Sequence, residues 1–359
     1  MNITMKIVHV ESGLGNQMLS YCEYLALKSL HPEEDIYIET IVYDIPECNE
    51  VIKQWNGYEL QRIFGINAPN IKDLFTQDQW QQIMSDVHVS KFWEKNWNYP
   101  VYITQALRVA GLDIRNIRGD FESKFATRNF SMMVEYKPTV KERLIDSPLG
   151  DWFKRNYRSI RKQHFVARDS QYHEVFYKGS DNVYTGQRLS LKRIGSGMEL
   201  IENQVRDAFS FPKFKDAKNK EMALFLDSCN AVAIHARRGD MLGCNGYCYK
   251  YGYFKRAIKY IKKHVEKPVF VFFCDPGSVE WCKQNCDIFN LDFGKDKVYF
   301  VDWNKGCESF RDMQLMAHCK HAVITNSSFG WWGAFFIQNP NKITISPKHE
   351  ISTNTTCHC

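Results

Sequence analysis

The stretch "HAVITNSSFGWWGAFF", His321–Phe336, changes character at its middle. "HAVITN" is a β-branched apolar run and predicts a strand, whereas the aromatic "WWGAFFIQ" predicts a helix. Asn326, Ser327 and Ser328 occupy the seam. A helix starting there leaves backbone N–H groups unpaired, and its dipole favours negative charge. Two roles stay open for the cluster. Asn326 or a serine caps the helix, or hydroxyls and N–H groups together hold an anion. Trp331 and Trp332 then pack the helix onto a sheet or line a neighbouring pocket.

The same alternation extends outward from this stretch. "NAVAIHARR", "PVFVFFC", "KVYFVDW" and "KITISP" read as strands, and "YFKRAIKYIKKHV", "GSVEWCKQNC" and "SFRDMQLMAHC" as helices. Strands apolar on both faces, separated by helices, predict a parallel sheet covered on both sides from about Asn230 onward. The N-terminus opens alike: strand "MKIVHVES", glycine turn "GLGNQ", helix "MLSYCEYLALKSLH" stopped by Pro32, strand "DIYIET". Between Asn49 and Lys220 the pattern is irregular, and "SDVHVSKFWEKNWNYPVYITQAL" supports no assignment. The lysine-rich "FPKFKDAKNKE" marks a boundary, so two α/β domains are expected, 1–225 and 226–359.

Charge and composition exclude more than they assign. The net charge of +6 comes from 47 basic and 41 acidic residues spread along the chain, which speaks against a nucleic-acid binder. No apolar run is long enough to span a membrane. The first residues are broken by His9 and Glu11 and do not read as a secretory signal, so a cytosolic protein is expected. There the 12 cysteines would stay reduced. The pairs Cys244/Cys248, Cys282/Cys286 and Cys357/Cys359 do not form a zinc framework and read as ordinary thiols.

In an open parallel sheet, ligands bind beyond the C-terminal ends of the strands. Two strands hand over chemistry there, in "HARRGD" and in "TNSSFG". Alternation along an extended chain puts His235 and Arg237 on one side and Arg238 on the other. Arg237 offers a phosphate a forked, permanent charge. Arg238 would pair with Asp240 or a carbonyl. A surface salt-bridge cluster is the plainer alternative. "SGLGNQ" lacks the third glycine of a dinucleotide fingerprint, and no P-loop occurs. Asn16 and Gln17 would cap the following helix or bond to a sugar or nucleotide.

Taken together, "GLGNQM", "GYELQRIFGI", "IHARRGD", "DMQLMAHCKHAVITNSSFGWWGA" and "NPNKITISPKH" resemble the bacterial α-1,2-fucosyltransferases, relatives of the α-1,6- and protein O-fucosyltransferases. The resemblance implies a GT-B-like fold, with two Rossmann-like domains facing a central cleft. It implies inverting transfer of L-fucose from GDP-β-L-fucose to a glycan hydroxyl, O-2 of a terminal galactose first among them, in surface polysaccharide synthesis. Partners would be GDP-fucose and an oligosaccharide or glycolipid acceptor, with peripheral contact to a membrane, and no metal or other cofactor is expected. Arg237 matches the pyrophosphate-binding arginine, and His235 a position near the nucleoside. Asp312 matches an aspartate accepting from guanine; its plainer role is to offset a helix dipole. Ser327, Ser328 and Phe329, beside Asn326, match residues wrapping phosphates and fucose. Gly13, Gly15 and Asn16 match a loop closing the cleft from the other domain.

Two departures stand out. Some relatives carry a glutamate, treated as the base, where this chain has Asn245, and Ser12 stands where a further glycine is usual. Asp240, Glu11 and His9 are base candidates by location, Asp240 first. Acceptor contacts are expected in the variable region 75–183. The alternatives are a transferase using another GDP-sugar or forming another linkage, and a non-catalytic glycan- or nucleotide-binding protein.

Overall fold

The computed structural model describes residues 5–51, 56–94, 99–116, 149, 183–185, 198–239, 242–275 and 277–347. Asp240 and the Cys357/Cys359 pair lie outside them, as does most of the proposed acceptor region. The chain divides into two compact units. One comprises residues 1–10, 26–51 and 68–187; the other comprises 11–25, 52–67 and 188–359. The sequence placed a single crossing at 225/226. In this division 11–25, 52–67 and 188–225 lie with the C-terminal sheet.

The first unit holds a parallel sheet in the order β2-β1-β4-β3. Its strands are β1 (Met5–His9), β2 (Asp35–Glu39), β3 (Arg115–Asn116) and β4 (Val183–Thr185). Helix α1 (Leu14–Leu30) ends before Pro32, whose ring cannot continue it. The division falls within α1, with 14–25 in the other unit and 26–30 in this one; α2 (Pro46–Val51), α4 (Gln77–Ser90) and α5 (Tyr99–Val109) belong to this unit, and α3 (Leu60–Phe64) to the other. Thr76 and Gln79 form a reciprocal capping box at the start of α4, in the stretch where hydrophobic pattern alone assigned nothing. His9 is buried and pairs through Nδ1 with Glu39, whose other oxygen accepts the Ile41 N–H.

The second unit holds the larger parallel sheet, in the order β7-β6-β5-β8-β9. These strands are β5 (Ala231–Ala236), β6 (Val269–Cys274), β7 (Lys297–Val301), β8 (His321–Ile324) and β9 (Thr344–Ile345). α6 (Met198–Ala208) and α7 (Ala217–Asp227) precede β5, and α8 (Leu242–Lys250) and α9 (Tyr253–His264) follow it. α10 (Ser278–Gln284) and α11 (Cys286–Phe289) follow β6, α12 (Phe310–His318) follows β7, and α13 (Ser328–Phe336) follows β8.

Alternate strand residues feed two cores. Val232, Ile234, Phe270, Phe272 and Val323 meet α9 and α11 through Phe254, Ile258, Ile261 and Phe289. Ala231, Ala233, Val271, Phe273 and Ile324 meet α7, α12 and α13 through Leu226, Leu315, Met316 and Ala334. Burying one such phenylalanine contributes about 1.5–3 kcal/mol. α9 shows why the pattern was readable: Phe254, Ala257, Ile258 and Ile261 face the sheet while Lys255, Lys259 and Lys263 are exposed. Two α/β units with parallel sheets are what the sequence led us to expect. Among the described residues no helix is long and apolar enough to cross a membrane.

Candidate functional site

Sheet order locates the site before any side chain is considered. From β5 the chain steps to β6 and β7 on one side, then returns to place β8 on the other. The order reverses between β5 and β8, and loops leaving such a pair part to open a crevice at their C-terminal ends. Those two loops are "ARRGD" and "TNSSFG".

Thr325 stitches them together. Its hydroxyl accepts the Arg237 N–H at 3.2 Å and donates to the His235 carbonyl at 3.2 Å. The Arg237 guanidinium pairs with Asp275, which follows β6. The second oxygen of Asp275 accepts the Arg238 N–H. Arg238 instead lays its guanidinium over the Trp281 ring, 3.3 Å from the centroid. The two arginines do separate as alternation requires. Their partners, Asp275 and Trp281, were not foreseen. An acidic residue ending a wholly apolar strand was the available signal for Asp275.

His235 is buried and stacks on Phe329, with ring centroids 5.8 Å apart. It fits because Gly330 has no side chain: a Cβ there would stand 2.5 Å from Nδ1. Burial first, and the Arg237 charge second, push its pKa down to about 3. The ring is therefore neutral at any working pH and does not act as a titrating base.

At the seam, Ser327 occupies the N-cap position of α13 with extended backbone, and its side chain makes no capping bond. Among the described residues the hydroxyls of Ser327 and Ser328 and the Asn326 amide side chain form no hydrogen bond, although all three residues are buried. The helix thus begins with unspent N–H groups and unspent hydroxyls side by side, as an anion requires.

The glycine turn meets the same helix end. A Cβ on Gly15 would lie 2.6 Å from the Phe329 nitrogen and 2.8 Å from the Ser328 hydroxyl. Trp332, fully buried, donates from Nε1 to the Gly15 carbonyl at 2.9 Å. Trp331 is half-buried and stacks on Phe335. Gly13 and Asn16 form the turn itself, through a bond from the Asn16 N–H to the Gly13 carbonyl. Gln17 does not cap α1. Its amide donates to the Ser12 and Gly57 carbonyls and accepts the Glu59 N–H, all at 2.8–2.9 Å. The buried Glu59 carboxylate receives the Leu14 N–H at the start of α1, along with Arg62 and Asn56.

Ser12 sits at φ +68°. That left-handed conformation costs an L-residue about 1–2 kcal/mol and glycine nothing. Ser12→Gly is expected to raise stability by about 1 kcal/mol. Thermal melting reads the effect, and an unchanged or lower midpoint would mean that the serine hydroxyl outweighs the strain.

Asp312 stands in the first turn of α12 and is half-buried. Asn304 donates to it at 2.8 Å. Asn304 is itself held by Asn219, which also accepts from Trp303 and donates its backbone N–H to Asp216, the N-cap of α7. Desolvation pushes the Asp312 carboxyl up to about 8; the Asn304 bond opposes this and Asp302 adds to it. Asn304 and Asp302 follow β7, so this group also lies at the C-terminal edge of the sheet.

A model of glycosyl transferase family 11 matches residues 121–354. An α-1,2-colitosyltransferase of Escherichia coli is 36% identical over 135 residues, covering 36% of this chain and 43% of that protein. The galactoside α-(1,2)-fucosyltransferase 1 of Saimiri sciureus is 30% identical over 109 residues, covering 29% of this chain and 28% of that protein. The chain thus spans less than half the length of these curated relatives. Fucosyltransferase NodZ from Bradyrhizobium superposes with a TM-score of 0.45 at 10% identity, covering 93% of this chain and 92% of that one.

Proposed function

We propose, for a chain that belongs to glycosyl transferase family 11, inverting transfer of L-fucose from GDP-β-L-fucose to a glycan hydroxyl, O-2 of a terminal galactose first among them. One observation carries the reading. At the switch point between β5 and β8, the backbone N–H of the permanently charged Arg237 is tied to Thr325, just before the unspent hydroxyls and N–H groups that open α13, while its guanidinium meets Asp275.

In this reading the anomeric C–O bond breaks toward the diphosphate. Positive charge builds on the sugar and negative charge on the leaving phosphate. Arg237, Ser327, Ser328 and the N–H groups of α13 are aimed at that negative charge, with no metal ion in the step. Phe329 closes the sugar side, and Gly13, Gly15 and Asn16 let the turn approach the phosphates. His235 offers the nucleoside a neutral ring nitrogen. Asp240 is proposed, from its chain position beside Arg237, to take the acceptor's proton. The acceptor in this reading is a surface polysaccharide or a lipid-linked oligosaccharide, met at a membrane surface. A second reading has its own support, since one relative is a colitosyltransferase: the donor is then a different GDP-deoxysugar held by the same phosphate site.

Calorimetric titration with GDP, GDP-fucose and GDP-mannose, followed by a glycan-acceptor screen with linkage read by NMR, tests the proposal. Binding of GDP and GDP-fucose with fucosyl transfer is the expected result. Binding to none of the three would remove both readings.

Asp312 adds a pH signature. Its partner would be the guanine edge, whose two donors need a carboxylate. With the free group titrating at about 8, binding below that pH must first ionise it. Affinity for guanosine, which has no phosphate to titrate, is expected to climb roughly tenfold per pH unit from 6 towards 8 and level off above. Asp312→Asn should flatten the curve. A flat wild-type profile would take Asp312 out of the base site.

A further inference from the structure

We propose that Asn245 is a positioning residue for the donor site: its amide sets the spacing between the loop that carries Arg237 and the first turn of α13. The proposal rests on reading the site as one for a GDP-sugar. Asn245 lies on α8 and is fully buried. Its Nδ2 donates to the Arg237 carbonyl at 3.2 Å and to the Asn326 carbonyl at 3.4 Å. Its Oδ1 accepts the Asn326 N–H at 3.0 Å. One short side chain therefore engages both loops at the switch point, with two donors and one acceptor.

The chemistry of the place selects an amide. A carboxylate of the same shape would turn an oxygen toward two backbone carbonyls at a fully buried position. An apolar side chain would leave the Asn326 N–H buried without its partner. Arg237 itself would remain attached. Thr325 holds its N–H, and the Tyr249 hydroxyl donates to its carbonyl at 3.1 Å. What Asn245 adds is the tie to Asn326, the first residue of the polar seam. Without it the guanidinium and the Ser327–Ser328 hydroxyls lose their common register, and both must reach the same diphosphate at once.

The test compares wild type with Asn245→Asp and Asn245→Ser in the full chain. GDP and guanosine affinities are measured by calorimetry between pH 5 and 8, alongside thermal melting and transfer from GDP-fucose. GDP affinity of the Asp variant relative to wild type should fall about tenfold or more at pH 8. It should recover toward pH 5, where the protonated acid regains one donor. Relative guanosine affinity should stay near one throughout, because guanosine carries no phosphate and the backbone of β5 at His235 stays tied by Thr325. Should the Asp variant melt below assay temperature, Asn245→Ser keeps one donor and one acceptor and should show a smaller, pH-independent loss for GDP alone. A merely structural role would weaken both ligands alike and overturn the proposal. Faster transfer by the Asp variant would also overturn it, since the place would then favour a proton-accepting carboxylate. Equal GDP affinity of variant and wild type overturns the proposal alone. A wild type that binds no GDP overturns the donor-site reading and the proposal with it.

Discussion

Arg237→Lys is expected to leave the fold intact and to remove most of the turnover. The lysine ammonium can still face Asp275, the carboxylate that the guanidinium meets in this structure, so no buried charge is left alone. The planar fork is lost, and a single point charge cannot span two oxygens of a phosphate. Losing an electrostatic contact of this kind costs on the order of 3 kcal/mol, about a hundredfold in rate. Steady-state transfer from GDP-fucose, beside a melting curve, checks it. A lysine variant with near-normal turnover would place the diphosphate elsewhere.

Gly15→Ala should be severely damaging for a change of a single methyl group. The added Cβ would lie 2.6 Å from the Phe329 nitrogen and 2.8 Å from the Ser328 carbonyl carbon. Both are backbone atoms of a helix that is buried and cannot rotate away. Overpacking of this sort costs about 1–3 kcal/mol, and here the displaced atoms are those assigned to the phosphates. Gly333→Ala is the control. The nearest atoms its Cβ would meet are Cε, Sδ and Cβ of Met316 on α12, at 2.7–2.9 Å, a packing clash with none of the backbone atoms assigned to the phosphates among them. The expected order is a large loss of transfer and a lowered melting point for Gly15→Ala, and for Gly333→Ala a lowered melting point with transfer per folded molecule largely kept. Equal effects would mean that the turn and the helix end are free to separate.

The sheet of the second unit was legible because each of its long strands is a run of apolar residues bounded by turns. α8 was not. "LGCNGYCYK" contains two glycines and an asparagine, all poor helix formers, and its apolar residues mark no single face. Its helix is secured by tertiary partners, with Cys248 and Tyr249 in one core and Asn245 between the two loops. The placement of Arg237, His235 and the Asn326–Ser328 seam at strand ends could be anticipated from the run of apolar residues before each of them. Asp275, Asn304, Gln17 and Glu59 could not. Each has at least one partner remote in the chain, as Gln17 is from Glu59 and Asn219 from Asn304. Local pattern carries no trace of such pairs.

The bond from Trp332 to Gly15 joins positions 317 apart and closes nearly the whole chain into a ring. During synthesis at roughly 5–20 residues per second, the glycine turn emerges tens of seconds before its tryptophan. Residues 11–25 and 52–67 must wait through that interval for the sheet they belong to. Met18, Leu19 and Leu60, buried in the finished protein, are bare in the nascent one. Loop closure of this length slows folding far more than it lowers final stability. A variant in these early segments is therefore expected to lose folding rate, read by refolding kinetics, before it loses melting temperature.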